Sequence, residues 1–199
     1  MKTLKQRFTA VFTSVALSLA VAGAAATQGD SSPSSPPGVV YSNHTLRFRY
    51  RPVGGMRDET ESRKAEIQSR AASLRTNKTL DLLLAMSSGK DDTAPEWHSL
   101  SIEAYPRKAF SHLDDVSAKA RMTAWVAGIG GLLGTPRSAV LSGQSFAVYV
   151  VGERDGTLRK GAVIWTTIVR GKLLSFAFVS NSPKQLTILT GSMKTVRFF

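Results

Sequence analysis

Residues 162–199, AVIWTTIVRGKLLSFAFVSNSPKQLTILTGSMKTVRFF, restrict this chain more than any other stretch does. Val163, Ile164, Trp165, Thr166, Thr167, Ile168 and Val169 form an unbroken β-branched and aromatic run, the residue class that packs best on a pleated, half-buried surface. Arg170-Gly171-Lys172 interrupts it, and Gly171 is free to take a positive φ. The run then resumes, with Leu174, Phe176 and Phe178 on one face and Leu173, Ser175, Ala177 and Val179 on the other. Two apolar runs split by a short glycine-bearing turn predict a β-hairpin over 163–179. Neither strand has a strongly polar face, so the hairpin is expected at the centre of its sheet.

The segment after the hairpin reads as a capped helix. Ser182 at the N-cap, Pro183 at the first helical position and Gln185 at the third supply a hydroxyl for an orphan N–H and a residue with no N–H to leave unpaired. Leu186, Ile188 and Leu189 give it an apolar side, Gly191 is placed to end it, and residues 195–198 are expected as a final strand with Val196 and Phe198 on one face.

The start of the chain is an address. Lys2, Lys5 and Arg7 precede an apolar and small-residue run over 8–22, and Ala24-Ala25-Ala26 offers a cleavage site, so residues 1–26 are expected to be a cleaved secretory signal rather than a retained anchor. The run falls short of the ~20 apolar residues of a spanning helix, and later apolar runs are shorter still. The expected location is periplasmic or secreted. Residues 27–38, TQGDSSPSSPPG, lack the apolar side chains that offset the entropy of ordering and are expected as a disordered Ser/Pro linker. Residues 39–199 then suffice for a single domain. With no cysteine, that domain has no disulfide, thiolate metal site or cysteine nucleophile, and must hold together by its core.

Formal charge is +12; cleavage would remove three cations and no acid, leaving 23 Lys and Arg against 14 Asp and Glu, a net +9. Such a surface favours anionic partners. Its sharpest local expression is the opening of the domain, where Leu46, Phe48 and Tyr50 alternate with Arg47, Arg49 and Arg51 in a strand expected over 41–52. The plainer reading of this comb is a solvated face whose arginines meet cross-strand acids. The sharper one is an anion- or partner-binding site at Arg47, Arg49 and Arg51, since a planar guanidinium matches phosphate and carboxylate. The same interleaving could stack bases, but an exported chain would rarely meet nucleic acid, so no nucleic-acid partner is expected.

Between these ends the expected order is a helix from Asp58 to about 75 with a thin apolar stripe (Ala65, Ile67, Ala71, Leu74), then a strand over 79–86 and a polar loop over 87–95. A strand over 97–105 comes next, in which Leu100, Ile102 and Ala104 alternate with Ser99, Ser101 and Glu103, and then a helix from Asp114-Asp115 to 126. Short strands are expected over 138–141 and 145–152, and an Asp155-Gly156 turn leads into the closing hairpin. The glycine-rich GIGGLLG over 128–134 does not fit a phosphate-loop spacing and comes after a helix, so a helix end and connector is expected there. This amounts to α+β architecture: about seven or eight strands, mostly antiparallel, with three helices.

No catalytic constellation stands out. His44, His98 and His112 lack metal-ligand spacing. Asp91-Asp92 with Glu96, or Asp114-Asp115 with His112, could offer ligands but read more simply as a solvated loop and a helix start. Ser145 in Gly143-Gln144-Ser145-Phe146-Ala147 lacks the second glycine of a nucleophile elbow. Trp97, Trp125 and Trp165 could line a groove but read first as core.

The outline resembles the PsbP-like family of exported α/β/α sandwiches, named for an extrinsic photosystem II subunit and sharing its fold with a Ran-regulating protein. The resemblance rests on Tyr41-Ser42-Asn43, Leu46, Phe48, Tyr50 and Pro52 at the opening, and on Leu186, Leu189, Ser192, Val196 and Phe198 at the close. It implies a central, mostly antiparallel sheet between helices and a non-catalytic accessory or binding module, and it carries across no functional residue, cofactor or metal. The expected function is thus an exported, non-enzymatic binding module with an envelope protein or anionic partner. The alternatives are a peripheral binder of anionic membrane through the basic strand face, and a hydrolase with residues not identifiable from sequence.

Overall fold

The computed structural model describes residues 39–74, 81–106, 131–152 and 161–199. The signal and linker expected over 1–38, the helix expected over 114–126 with His112 and Trp125, and the Asp155-Gly156 turn lie outside the described residues.

The closing hairpin is the centre of the molecule. Strands β9 (Gly161–Val169) and β10 (Lys172–Ser180) pair antiparallel in full register, Phe176 opposite Trp165. Arg170 and Gly171 both take positive φ, 50° and 72°, which gives the two-residue turn whose twist matches that of the flanking strands. On one side β10 pairs with β5 (His98–Pro106), then come β4 (Asp81–Ser87) and β3 (Arg57–Asp58). On the other side β9 pairs with β8 (Gln144–Gly152), whose outer edge is shared by β6 (Gly131–Leu132) and β7 (Arg137–Leu141). Every pairing is antiparallel.

A second, three-stranded sheet is built from both ends of the domain: β1 (Tyr41–Asn43), β2 (Phe48–Tyr50) and β11 (Arg197–Phe198), with β2 in the middle. The helices are α1 (Thr60–Leu74), on β4, and α2 (Pro183–Gly191), on β5, β9 and β10. The described residues thus hold two α-helices, against the three that the residue pattern predicts.

Several local expectations change. The strand expected over 41–52 is broken into β1 and β2, because Asn43 turns the chain by accepting the Leu46 N–H on its side-chain oxygen at 2.8 Å. Gly191 does not end α2 in the left-handed region: its φ is −58°, and the helix tightens into a 3-10 turn, Ser192–Thr195. That turn takes up part of the strand expected over 195–198, leaving β11 two residues long. Within the glycine-rich stretch, Gly131 and Leu132 pair with Gly152 and Val151 rather than acting only as a connector. The turn between β7 and β8, at Ser142 (φ 51°) and Gly143 (φ 75°), repeats the geometry of the central hairpin, which the apolar pattern around it does not single out.

The expected caps are present. Asp58 Oδ1 accepts from the Thr60 N–H at 2.9 Å and from the Thr60 hydroxyl at 2.6 Å at the start of α1. Ser182 adopts the extended N-cap conformation before Pro183, and its side chain accepts from the Gln185 N–H.

One face of the large sheet carries Leu100, Ile102, Leu174, Phe176 and Phe178, closed over by Phe48 and Tyr50 of β2 and by Leu186 and Leu189 of α2. Phe176 sits among three rings: Phe48 at 5.6 Å, Tyr50 at 5.7 Å and Phe146 at 6.3 Å, all near edge-to-face. Trp97 is buried, and Trp165 packs edge-on against Phe146 at 5.9 Å.

The opposite face is also buried, which alternation alone does not indicate for β5. Glu103, expected on a polar face, is 8% exposed. It lies in one cross-strand row with Ser175 and Thr166, both fully buried. Its carboxyl is hydrogen-bonded to the hydroxyls of Ser101 at 3.0 Å and Tyr105 at 2.5 Å. Burial pushes the Glu103 pKa up, and those hydrogen bonds pull it only partly back. The Ser175 and Thr166 hydroxyls have no hydrogen-bond partner among the described residues.

Three measurements test this core. Phe176→Ala, which empties the centre of the ring cluster, should cost about 3–5 kcal/mol of unfolding free energy in a denaturant titration. Thr166→Val, which removes an unpaired buried hydroxyl at nearly constant volume, should raise stability by about 1 kcal/mol in the same titration. Because the folded state holds the Glu103 proton more tightly than the unfolded chain does, that contribution is complete below the unfolded carboxyl pKa and is lost as pH rises through the higher folded value. Glu103→Gln should therefore flatten the fall in Tm that begins as pH rises past the unfolded carboxyl pKa; parallel Tm curves for the two proteins would refute the raised pKa.

Candidate functional site

The three arginines singled out by alternation are all exposed, while Leu46, Phe48 and Tyr50 between them are buried. Their settings differ. Arg47 ends the β1–β2 turn with φ 52°, and its carbonyl accepts the Phe199 N–H at 3.0 Å. Arg49 is at the centre of β2, with its guanidinium 5.2 Å from the Phe199 ring centroid, a cation–π contact. Arg51 is held through its backbone: the Thr195 hydroxyl accepts its N–H at 3.0 Å and lies within reach of its carbonyl at 3.1 Å and the Ser192 carbonyl at 2.8 Å, sharing one proton between them.

The cross-strand neighbours of Arg49 are Ser42 on one side and Arg197 on the other. The plainer reading of the comb supposes acids there; the register instead places a second exposed arginine directly opposite. Arg197 is anchored, its Nη1 donating to the carbonyls of Lys194 and Val196, both at 2.7 Å. With Lys194, five cations decorate this small unit, and none of them forms an ion pair with a carboxylate among the described residues.

The cause is visible in the sequence once the topology is known. Between Asp30 and Asp58, and again after Asp155, the chain has no Asp or Glu at all. The first acid-free stretch supplies β1 and β2; the second supplies β11, α2 and the 3-10 turn. Folding lays the two side by side, so every charged side chain of the small sheet is cationic. Exposed apolar groups adjoin it, Phe199 at 53% exposure and Val39 and Val40 just ahead of β1. His44 lies edge-on to Phe199 at 6.3 Å.

Beneath this surface the framework is rigid. The Tyr50 hydroxyl is 2.6 Å from Ser192 Oγ, and burial pushes its pKa far up, so it remains a neutral structural group.

The remaining candidates are drawn into local structure. The Asp91 carboxylate accepts from the Thr93 N–H at 2.8 Å and the Thr93 hydroxyl at 2.7 Å, and these bonds hold its pKa down. Glu96 pairs with Lys90 at 2.9 Å, and His98 Nδ1 lies 2.8 Å from the Glu96 carbonyl. Among the described residues no three His, Asp or Glu side chains converge as a metal-sized group. Ser145 sits in β8 opposite Val140, its carbonyl accepting from the Thr167 hydroxyl at 2.6 Å.

An open hollow of about 460 Å³ lies at the start of α1, lined by Tyr41, Asp58, Glu59, Glu61, Lys64 and Leu83 among others. Its carboxylates are occupied: Asp58 by Thr60, Glu59 by Ser87 and by Arg63 at 3.5 Å, Glu61 by Lys64 at 2.8 Å. No histidine is among the described residues that line it.

No protein-family model and no curated protein matches the chain. Among solved structures, it is similar to the solution structure of cyanobacterial PsbP from Synechocystis sp. PCC 6803, at 11% sequence identity and a TM-score of 0.49, over 81% of this chain and 92% of that one.

Proposed function

We propose that this chain is an exported, non-enzymatic binding module that presents the outer face of its small sheet, with Arg47, Arg49 and Arg51, to an anionic membrane surface in the cell envelope. The observation that carries this reading is the charge segregation: two acid-free segments, far apart in sequence, meet in one exposed sheet. Unneutralised cations on one face create a potential that gathers anions and orients approach. The exposed Phe199 ring adds an apolar contact of the kind that settles at a lipid headgroup boundary. The signal pattern over 1–26 and the spacer over 27–38 support placing the domain beside a membrane after export. No helix among the described residues is long and apolar enough to cross one.

A basic residue near an anionic surface contributes about 1 kcal/mol. Charge reversal at all three arginines, Arg47→Glu with Arg49→Glu and Arg51→Glu, should therefore weaken retention on anionic vesicles by roughly 100-fold or more at low salt. Wild-type retention should itself decline as salt shortens the screening length. Sedimentation with phosphatidylglycerol vesicles checks both, with phosphatidylcholine vesicles as the neutral control. Unchanged retention of the triple variant would sink the reading.

A further inference from the structure

We propose that Arg49 and Arg197 together form a phosphate site, taking one phosphate monoester or diester group between their guanidinium groups; this rests on the reading of the small sheet as an anion-facing surface. The two residues are direct cross-strand partners in an antiparallel pair, so their side chains leave the same face. Their Cβ atoms are then about 4.5–5.5 Å apart, a spacing at which like charges repel. A sheet that only needed solubility would gain by placing an acid opposite Arg49. Neither arginine has one among the described residues.

Both guanidinium groups are also held in place before any ligand arrives. Arg197 spends Nη1 on the carbonyls of Lys194 and Val196, which fixes its plane and leaves Nε and Nη2 to donate outward. Arg49 lies over the Phe199 ring. That contact spends no N–H on an acceptor, and Arg49 has no hydrogen bond to a carboxylate among the described residues. Little side-chain entropy remains to be lost on binding.

Two planar forks on cross-strand partners can offer donors in two directions. A tetrahedral phosphate, with oxygens to share between both forks, meets that arrangement better than a planar carboxylate with two. Lysine, a single point charge without the fork, would keep the potential and lose the geometry. Arg47 and Lys194, at the margins, supply field rather than direct contact.

The test uses the full mature chain and two sets of vesicles matched in measured surface charge, one carrying phosphatidic acid and the other cholesteryl hemisuccinate, whose anion is a carboxylate. The double variant Arg49→Lys with Arg197→Lys preserves net charge, and circular dichroism verifies its fold. Wild type should prefer the phosphate vesicles by about tenfold or more, and the double-lysine variant should bind both kinds but lose the preference. Titration with inorganic phosphate and glycerol 3-phosphate, followed at the arginine Nε resonances, identifies the source. Shifts with free phosphate mean that soluble esters enter the site, and shifts with phosphatidic acid vesicles alone mean that it reads headgroups; either result supports a phosphate site. Equal wild-type retention on the two vesicle kinds, or an undiminished preference in the double-lysine variant, overturns the phosphate site and leaves the general electrostatic reading standing. Failure of wild type to bind either anionic vesicle at low salt overturns both.

Discussion

Phe176 ties the two sheets into one body. It stands at the middle of the central strand β10, and its ring meets Phe48 and Tyr50 from the small sheet and Phe146 from β8. The small sheet has two- and three-residue strands, too short to be stable alone. Its rigidity comes from burying Leu46, Phe48 and Tyr50 on the large sheet, with side-chain bonds such as Tyr50 to Ser192 and Thr195 to Arg51 fixing its edges. The position of the exposed arginines is therefore inherited from an aromatic cluster on the far side of the same backbone.

This arrangement explains how the charge segregation is tolerated. An exposed face of like charges costs free energy, but the cost is modest in water, whereas each large side chain buried beneath contributes roughly 1.5–3 kcal/mol. Apolar burial outweighs repulsion, so the sheet forms with its cations unneutralised.

The second face of the large sheet shows the opposite compromise. Thr166, Ser175 and Glu103 form a polar row in a buried layer, with two hydroxyls lacking partners among the described residues. Strand geometry has little tolerance for local repair here, because a slip in register would move every apolar residue of β10 to the wrong face. The polar residues stay where alternation puts them, and burial raises the pKa of Glu103 while its hydrogen bonds to Ser101 and Tyr105 offset part of that rise.

Local chemistry makes the central hairpin legible: β-branched runs, a glycine at a positive-φ position and a Ser-Pro helix start act within a few residues of one another. The alternation over 46–51 likewise shows which side chains face inward, since the side-chain period of an extended chain does not depend on its partners. The break at Asn43 and the Ser142-Gly143 turn have local signals too, an Asn side chain that can cap the turn backbone and a Ser-Gly pair, but those signals are weaker than the apolar patterns around them. That β5 is buried on both faces cannot be read from its alternation, because burial depends on what lies against the strand. Nor can any spacing reveal that Arg197 faces Arg49: the pairing joins opposite ends of the domain, and only the packing of two short strands on one aromatic core sets that register. Residue order is enough to mark most strand segments, the start of α2 and the stretches that lack acids. Which of those stretches become neighbours is settled by packing in three dimensions, because contacts between distant segments are selected by the shared core they bury and not by their own residues alone.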